Sequence, residues 1–303
     1  MEIVAFQLPS QSAVPRFGAV VDSKYLLDFE AVCGDDRPPY ANDWLDMDGR
    51  WFSAARDVHD RLAVDSARIA HAVAQGWLVG RADARLLAPV PRPGKIVCIG
   101  LNYRDHAAEL KMAVPAWPIV FSKFTTAVIA ADEPIVIPPE STKVDYEAEL
   151  AIVIGRRAKR VSAERAFDHV LGYTVFNDVT ARDFQSGDGQ WQRSKSCDTF
   201  APMGPSIVTT DVVRDPHALP IALTVNGEVR QQSNTDQLIF GVPELIAFVS
   251  ATVTLEPGDI IATGTPPGVG AGRTPPTFLS PGDVVEVSIE KVGRLRNPVV
   301  SLS

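Results

Sequence analysis

Residues 145–155 place two glutamates directly before a long apolar run. Because side chains alternate along a strand, Glu147 and Glu149 would share one face, and both faces become apolar after Leu150. Two carboxylates at the edge of a core repel each other and resist desolvation, and a bound cation relieves both problems. Carboxylate oxygens favour Mg²⁺, Mn²⁺ or Ca²⁺ over Zn²⁺. A strand end with both glutamates in solvent explains the pattern equally well.

A third carboxylate follows a second apolar run. Residues 171–176 predict a strand, and Asn177 and Asp178 stand at its end. Together with Glu147 and Glu149, Asp178 would give three oxygen ligands and leave coordination positions open for water or a chelating substrate. Alternatively, Asn177 or Asp178 caps the turn that follows.

His106 and Glu109 lie three residues apart in a segment, 102–110, that predicts a helix after a strand. This spacing puts both side chains on one helical face. A carboxylate beside an imidazole orients the ring and raises its basicity, as general base catalysis requires. A surface contact without catalytic function is the alternative, and the pair by itself does not decide between them.

A glycine-rich segment, residues 263–270, follows the strand predicted at 259–262. Its glycines would allow backbone amides to approach an anion, and its threonines would add hydroxyl donors. The GK[ST] ending of a P-loop is missing. By composition, a structural turn is the stronger interpretation.

The whole chain has the composition of an ordinary globular protein. It has 303 residues, 46% of them hydrophobic, and its net charge of −8 comes without a Lys/Arg run that would favour nucleic acid. No apolar run approaches the length of a membrane helix, and no secretory signal is visible. Cys33, Cys98 and Cys197 are scattered. These features predict a cytoplasmic protein with reduced thiols and with neither a nucleic-acid nor a membrane partner.

The predicted elements fall into two regions, which a proline-rich connection after residue 88 separates. Residues 1–88 predict a small N-terminal α+β domain, with an amphipathic helix at 54–77 that Ser66 interrupts as a cap, and strands at 3–6, 17–21 and 25–29. Residues 94–303 predict a catalytic domain with helices at 102–110 and 243–253 and strands at 95–100, 119–121, 135–137, 148–154, 172–176, 207–208, 221–225, 259–262 and 284–289. Because the strands do not alternate with helices, we expect a mainly β (α+β) roll or sandwich with a few edge helices rather than a doubly wound sheet or an α/β barrel.

Taken together, the motifs resemble the fumarylacetoacetate hydrolase family. In chain order they are GLNYRDHAAE, FSKFTTAV, DYEAELAIVIG, GYTVFNDVTARDFQ, QWQRSKSCDTFAPMGP, LTVNGE and GDIIATGTPPGVG. The resemblance covers roughly residues 94–300. The resemblance implies a mixed β-sandwich roll for the catalytic domain. It also implies one Mg²⁺, Mn²⁺ or Ca²⁺ ion held by Glu147, Glu149 and Asp178.

The same resemblance assigns functions to further residues. It implies catalytic functions for His106, Glu109 and Lys195. It places Trp117 in a lid region that varies with the substrate, and Cys197 where many relatives have an aromatic residue. Substrate contacts are implied for Lys123, Arg182, Gln185 and Thr265.

These residue types predict a metal-dependent hydrolase that cleaves a C–C bond in an acylpyruvate, a 2,4-dioxo acid such as fumarylpyruvate. His106, oriented by Glu109, would activate the water, while the metal and a lysine would stabilise the departing pyruvate enolate. The alternatives on the same site are oxaloacetate decarboxylation and isomerisation of a 2-hydroxyhepta-2,4-dienedioate-like acid. A catalytically silent metal-binding protein is a third interpretation, which the complete motifs oppose. The resemblance also predicts a homodimer.

Overall fold

The computed structural model describes residues 1–9, 14–63, 66–187 and 189–302. The N-terminal region contains β1 (Glu2–Gln7), β2 (Arg16–Val20), β3 (Tyr25–Asp28), α1 (Phe29–Cys33), α2 (Arg50–Ala63), α3 (Ser66–Ala74), β4 (Leu78–Gly80) and β5 (Arg85–Leu86). The next part of the chain contains β6 (Ile96–Gly100), α4 (Arg104–Glu109), β7 (Ile119–Lys123), β8 (Val128–Ile129), β9 (Ile135–Ile137), β10 (Val144–Asp145), β11 (Ala148–Ile154), β12 (Val170–Asn177) and β13 (Thr180–Ala181).

The C-terminal part contains α5 (Arg182–Gly187), α6 (Trp191–Lys195), β14 (Ala201–Thr209), β15 (Pro220–Val225), β16 (Glu228–Asn234), α7 (Val242–Thr252), β17 (Ile260–Ala262), β18 (Val284–Ile289) and β19 (Gly293–Ser301). Short 3₁₀ helices lie at Ala41–Leu45, Arg81–Asp83, Thr125–Ala127, Ala163–His169, Thr235–Gln237 and Gly270–Gly272.

Most predicted elements are observed, with differences at their ends. The strands predicted at 17–21 and 25–29 form a hairpin, and the Asp22 carboxylate accepts hydrogen bonds from the amides of Lys24 and Tyr25 in its turn. The helix predicted at 54–77 is instead two helices, α2 and α3. The predicted cap by the Ser66 side chain lies outside what the structure describes.

The strands form mixed sheets, which confirms the predicted mainly β fold class. The large sheet has the order β4-β3-β2-β1-β14-β12-β11-β17-β6-β7, with β5 beside β1 and β8 beside β14. A second sheet has the order β16-β15-β18-β19-β9, and β10 pairs with β13. Most pairs are antiparallel, whereas β17–β6, β14–β8 and β19–β9 are parallel.

Strand β11 lies at the centre of the large sheet and is buried on both faces. Leu150 and Ile152 belong to a core that also contains residues of the second sheet, such as Leu223. Ala151 and Val153 point to the opposite face and belong to a core shared with the N-terminal region. The alternating apolar faces predicted for this segment are therefore both occupied by protein.

The N-terminal strands extend the large sheet rather than forming one of their own. Strand β1 pairs antiparallel with β14, with Glu2 opposite Val208 and Ile3 opposite Ile207. The division into domains at residues 1–88 and 94–303 stays a prediction. In the described part of the chain, no helix is both long and apolar enough to cross a membrane.

Candidate functional site

Strand pairing brings the three predicted metal ligands together. Glu149 belongs to β11, Glu147 comes just before that strand, and Asp178 comes just after β12. The strands pair with Ala148 opposite Asn177, and the Asp178 amide donates to the Glu147 carbonyl at 2.9 Å. One carboxylate oxygen from each acidic residue lies within 4.8 Å of the other two, and all three side chains are buried. We call these three carboxylates the triad.

Burial decides between the alternatives that the sequence left open for the triad. Both glutamates are at most 7% exposed, so they do not sit at a solvated strand end. The Asn177 side chain accepts a hydrogen bond from the Glu147 amide at 3.0 Å, which holds the neighbouring strand rather than capping the next turn. The Asp178 carboxylate is bound by two lysines and faces the site.

Those two lysines reach the triad from β7 and α6. The Lys195 ammonium donates to Glu147 and to Asp178, at 2.6 Å each. The Lys123 ammonium donates to Asp178 at 2.6 Å and to the Val179 carbonyl at 3.0 Å. Lys123 therefore supports Asp178 in this structure, and its predicted contact with substrate stays a prediction.

Arg182 links the triad to a carboxylate that the sequence did not single out. Its guanidinium donates to Glu147 at 2.5 Å, to Asp145 at 2.8 Å and to Gln185 at 3.1 Å. Asp145 is fully buried, and the pairing of β10 with β13 places it beside the start of α5. Two predicted substrate residues, Arg182 and Gln185, are thus in direct contact.

The charges of the site are unevenly compensated. Burial raises the pKa of Glu147, but the charges of Lys195 and Arg182 outweigh it and lower that pKa to about 2. The pKa of Lys195 is raised, because attraction to Asp178 and Glu147 outweighs the effect of burial. The pKa of Lys123 is lowered, because burial dominates there. Burial and repulsion from Asp178 and Glu147 raise the pKa of Glu149 well above its usual value.

Glu149 is the ligand that most clearly fits a cation. Among the described residues, its side chain has a single hydrogen-bond partner, the Gly264 amide at 2.8 Å. Its neighbours in the triad are anionic, and no lysine or arginine contacts it directly in the described ranges. A hard divalent cation would supply the missing positive charge, and the oxygen donors of the triad suit Mg²⁺, Mn²⁺ or Ca²⁺.

The predicted base is a bonded pair on α4. The His106 Nδ1 lies 2.9 Å from a Glu109 carboxylate oxygen. Because an ionised carboxylate only accepts, Nδ1 must carry a proton, and in the neutral imidazole Nε2 then keeps its lone pair. The imidazole is buried, while the Glu109 side chain is 28% exposed. We call these two residues the dyad.

The predicted glycine-rich segment binds anions, and those anions are the protein's own carboxylates. The Gly264 amide donates to Glu149, the Gly268 amide to Glu109 at 3.0 Å, and the Gly270 amide to Asp145 at 2.7 Å. Gly264 and Gly268 have φ angles of +100° and +98°, which side chains rarely allow. We call residues 263–271 the glycine loop.

The glycine loop also limits how far the dyad can be from the triad. Gly264 contacts Glu149 and Gly268 contacts Glu109, so four residues separate the two attachment points. Four extended residues span at most about 14 Å. The same short loop therefore holds both the triad and the dyad.

Comparison with known proteins agrees with this geometry. Residues 95–300 match the family model described as "Fumarylacetoacetate (FAA) hydrolase C-terminal". The chain belongs to this family. The predicted family is therefore confirmed. A relative from Xenopus laevis, "Oxaloacetate tautomerase fahd2, mitochondrial", is 44% identical over 99% of this chain and 90% of its own length.

Solved structures from this family share the fold over the whole chain. The "2-hydroxyhepta-2,4-diene-1,7-dioate isomerase" from Mycobacterium marinum superimposes with a TM-score of 0.73 at 35% identity, covering 99% of this chain and 98% of its own. The "maleylpyruvate hydrolase" from Sphingobium sp. SYK-6 has a TM-score of 0.76 at 32% identity and covers 100% of both chains. Isomerases and hydrolases therefore use this fold.

Two further residues named by the resemblance, Trp117 and Cys197, contact other parts of the protein. Trp117 is 72% exposed in the segment between α4 and β7, and its ring stacks on Phe248 of α7 with centroids 6.5 Å apart. Cys197 follows α6, and burial raises the pKa of its thiol.

A cavity of about 790 Å³ lined by Met1, His59 and other residues contains none of the predicted site residues.

Sequence reasoning missed two polar residues of the site, Asp145 and Gln231. Gln231 of β16 is 1% exposed and bonds the Thr265 hydroxyl. Both residues reach the site through strand pairing and loop contacts between distant parts of the chain. The sequence of β16 is polar along most of its length and Gln231 is its one fully buried residue, so no local pattern singles out Gln231.

Proposed function

We propose that this protein transfers a proton on a small 2-oxo acid and interconverts the enol and keto forms of oxaloacetate. The dyad carries the proposal, because His106 has a free Nε2 lone pair and a carboxylate that stabilises the protonated ring. The Xenopus relative, named an oxaloacetate tautomerase, supports this choice of substrate over nearly the full chain. Tautomerisation needs one group that both removes and returns a proton.

The residues divide the reaction between binding and proton transfer. Mg²⁺, Mn²⁺ or Ca²⁺ held by Glu147, Glu149 and Asp178 would supply electrophilic stabilisation of negative charge on the 2-oxygen. His106 Nε2 takes the proton from C3 of the keto form, and the C–H electron pair forms the C2–C3 double bond. The protonated ring then gives that proton to the 2-oxygen. Glu109 stabilises the imidazolium between these steps.

Hydrolysis of an acylpyruvate is the second candidate, and the dyad favours it as well. The same Nε2 can take a proton from water, which then attacks the distal carbonyl and breaks the C–C bond. The released enolate takes up a proton and becomes pyruvate. The maleylpyruvate hydrolase neighbour supports this reaction on the fold. Oxaloacetate decarboxylation also fits the site, and it needs no nucleophile.

Paired assays separate these candidates. Enol-oxaloacetate decay is followed by ultraviolet absorbance, and acetylpyruvate or maleylpyruvate cleavage by pyruvate formation, each with Mg²⁺ or with chelator. We expect metal-dependent tautomerisation well above the uncatalysed rate and above the cleavage rate. Cleavage that exceeds tautomerisation at equal enzyme would reverse the order of the two candidates.

Further properties of the protein are proposed from the family resemblance and the composition. A homodimer follows from the family resemblance, and a concentration-independent monomer mass by light scattering would contradict it. The acidic net charge of −8 supports a chain without a nucleic-acid partner. The cytoplasmic location stays a prediction, and the Xenopus relative carries the word mitochondrial in its name.

A further inference from the structure

We propose that Gln231 is a positioning residue that makes the Thr265 hydroxyl a hydrogen-bond donor for an anionic oxygen of the substrate. The inference rests on the proposed function for its substrate class, a 2-oxo acid. Its basis is the hydrogen bonding of the Gln231 amide, which fixes the direction of the hydrogen bond between Gln231 and Thr265.

The orientation of the Gln231 amide is determined by its partners. Its oxygen accepts from the Ala148 amide at 2.9 Å, and its nitrogen donates to the Pro266 carbonyl at 2.8 Å. If the amide were flipped, its nitrogen would face the Ala148 amide, which is also a donor, and its oxygen would face the Pro266 carbonyl, which is also an acceptor. The same nitrogen donates to the Thr265 oxygen at 2.9 Å, so Thr265 accepts in this contact.

The hydroxyl hydrogen of Thr265 is then available to another acceptor. In residues 1–9, 14–63, 66–187 and 189–302, no acceptor receives it, although the residue is only 7% exposed. The preceding residue, Gly264, donates its amide to Glu149 of the triad. The hydroxyl therefore lies one residue from a ligand contact, where an anionic oxygen of a bound 2-oxo acid would accept its proton.

Gln231 also reaches the strand that bears the ligands. Ala148, its backbone partner, lies between Glu147 and Glu149. A purely structural function for Gln231 would be to join β16, β11 and the glycine loop. In that case its loss would lower stability and affect activity independently of the Thr265 hydroxyl, so coupling between the two residues distinguishes the functions.

The test is a double-mutant cycle of Gln231→Met and Thr265→Val, with Thr265→Ser as the variant that keeps the hydroxyl. Gln232→Met is the matched control, because Gln232 is the exposed neighbour on β16. Oxalate, a small dianion with adjacent oxygens, is the probe, and its Kd is measured by calorimetry with Mn²⁺ present. KM and kcat for oxaloacetate tautomerisation and the Tm are measured on the same samples.

We expect Thr265→Val to weaken oxalate binding by about tenfold, the size of a hydrogen bond to a charged group. Gln231→Met should weaken it severalfold, and the double variant should match Thr265→Val. Each change should raise KM more than it lowers kcat. Gln232→Met should stay near wild type, and Thr265→Ser, which keeps the hydroxyl, should lose less affinity than Thr265→Val. Independent, multiplying effects of the two substitutions would overturn the proposal, as would an unchanged Kd in Thr265→Val.

If Gln231→Met does not fold, Gln231→Glu keeps the shape but its carboxylate cannot donate to Thr265. It should weaken oxalate binding at least as much as Thr265→Val, and a wild-type Kd would refute the proposal. Binding of oxalate does not depend on turnover. If the two substitutions are coupled in oxalate binding but the protein has no tautomerase activity, only the proposed function is rejected. If the protein is an active tautomerase but the two substitutions are not coupled, only this inference is rejected.

Discussion

The triad and the dyad are built in different ways. The triad lies at the ends of two paired strands in the middle of the large sheet, and its residues are at most 7% exposed. The dyad lies on α4, a helix of six residues whose following segment is largely exposed. Side chains on paired strands are held before any ligand arrives, because sheet pairing fixes their positions. A short helix depends instead on contacts from outside itself, and here the glycine loop supplies them.

This difference suggests which part of the site is common to several reactions and which part selects one. Holding a cation and a 2-oxo acid is needed for tautomerisation, hydrolysis and decarboxylation alike. Moving a proton or activating water is needed only for the first two. The triad on the strands would therefore serve all three reactions, and the dyad on α4 would determine which of them the protein catalyses.

The largest effect is expected from the triad. Glu149→Ala should abolish bound metal and lower tautomerisation, hydrolysis and decarboxylation together, by at least about 10²-fold, since charge stabilisation is lost in each. Metal content by elemental analysis and steady-state kinetics on each substrate measure this. Glu228→Ala, at an exposed position of β16, is the control. Full activity after exhaustive chelation, with no metal detected, would refute the metal site.

A smaller and more selective effect is expected from the dyad. His106→Ala should lower tautomerisation and acylpyruvate hydrolysis by about 10²-fold or more, as is typical of a lost general base. It should retain bound metal and a sizeable part of any oxaloacetate decarboxylation, which needs no base. An equal loss of decarboxylation in metal-replete His106→Ala would contradict the proposal that the dyad acts only in proton transfer. His106 would then position substrate instead.

The contact between the glycine loop and the dyad can be weakened separately. A Cβ at Gly268 would lie 2.1 Å from the Arg230 carbonyl oxygen, so Gly268→Ala should displace the amide that binds Glu109. We expect a tenfold loss of tautomerisation, on the order of one lost charged hydrogen bond, with metal content unchanged. Gly282→Ala is the matched control, because its φ is +96° but no atom lies within 4 Å. Equal kinetic losses in both variants would contradict a specific contact.

The smallest effect is a pH dependence of the triad. The pKa of Glu149 is raised in the metal-free protein, so its protonated form favours folding at low pH, and this stabilisation is lost as pH rises through the folded pKa. A cation requires the ionised form, so its affinity should rise by up to about tenfold per pH unit below that pKa. Melting curves across pH with and without Mn²⁺ measure both trends. Glu149→Gln should flatten them, and unchanged pH profiles in that variant would assign the trends to another group.

Local patterns in the sequence were enough to predict the parts of the site that depend on local structure. Strand alternation predicted that Glu147 and Glu149 share one face, and helical spacing predicted that His106 and Glu109 share another, but neither pattern alone decided whether these residues are functional. The family resemblance added Lys123, Lys195 and Arg182, which no local pattern indicates. These residues contact the triad in the structure, although their functions in catalysis stay predictions.

The parts that could not be predicted depend on pairing between distant segments. Asp145 meets the glycine loop 125 residues later in the chain, and Gln231 meets Ala148 across a separation of 83 residues. Composition favoured a structural turn for the glycine loop because nothing local shows which groups its amides will meet. The pairing of β1 with β14 was missed for the same reason.

The glycine loop acts on three carboxylates through its main chain, and this has a consequence for how the site could change over evolution. The side chain at the half-buried Pro267 takes no part in those hydrogen bonds, so mutations there could accumulate without removing them. The glycines, in contrast, admit almost no replacement where backbone lies within 3 Å of a new Cβ, as at Gly268. The side chains of such a loop could change in polarity and shape and so admit new substrates, while the hydrogen bonds from its amides to the three carboxylates are kept.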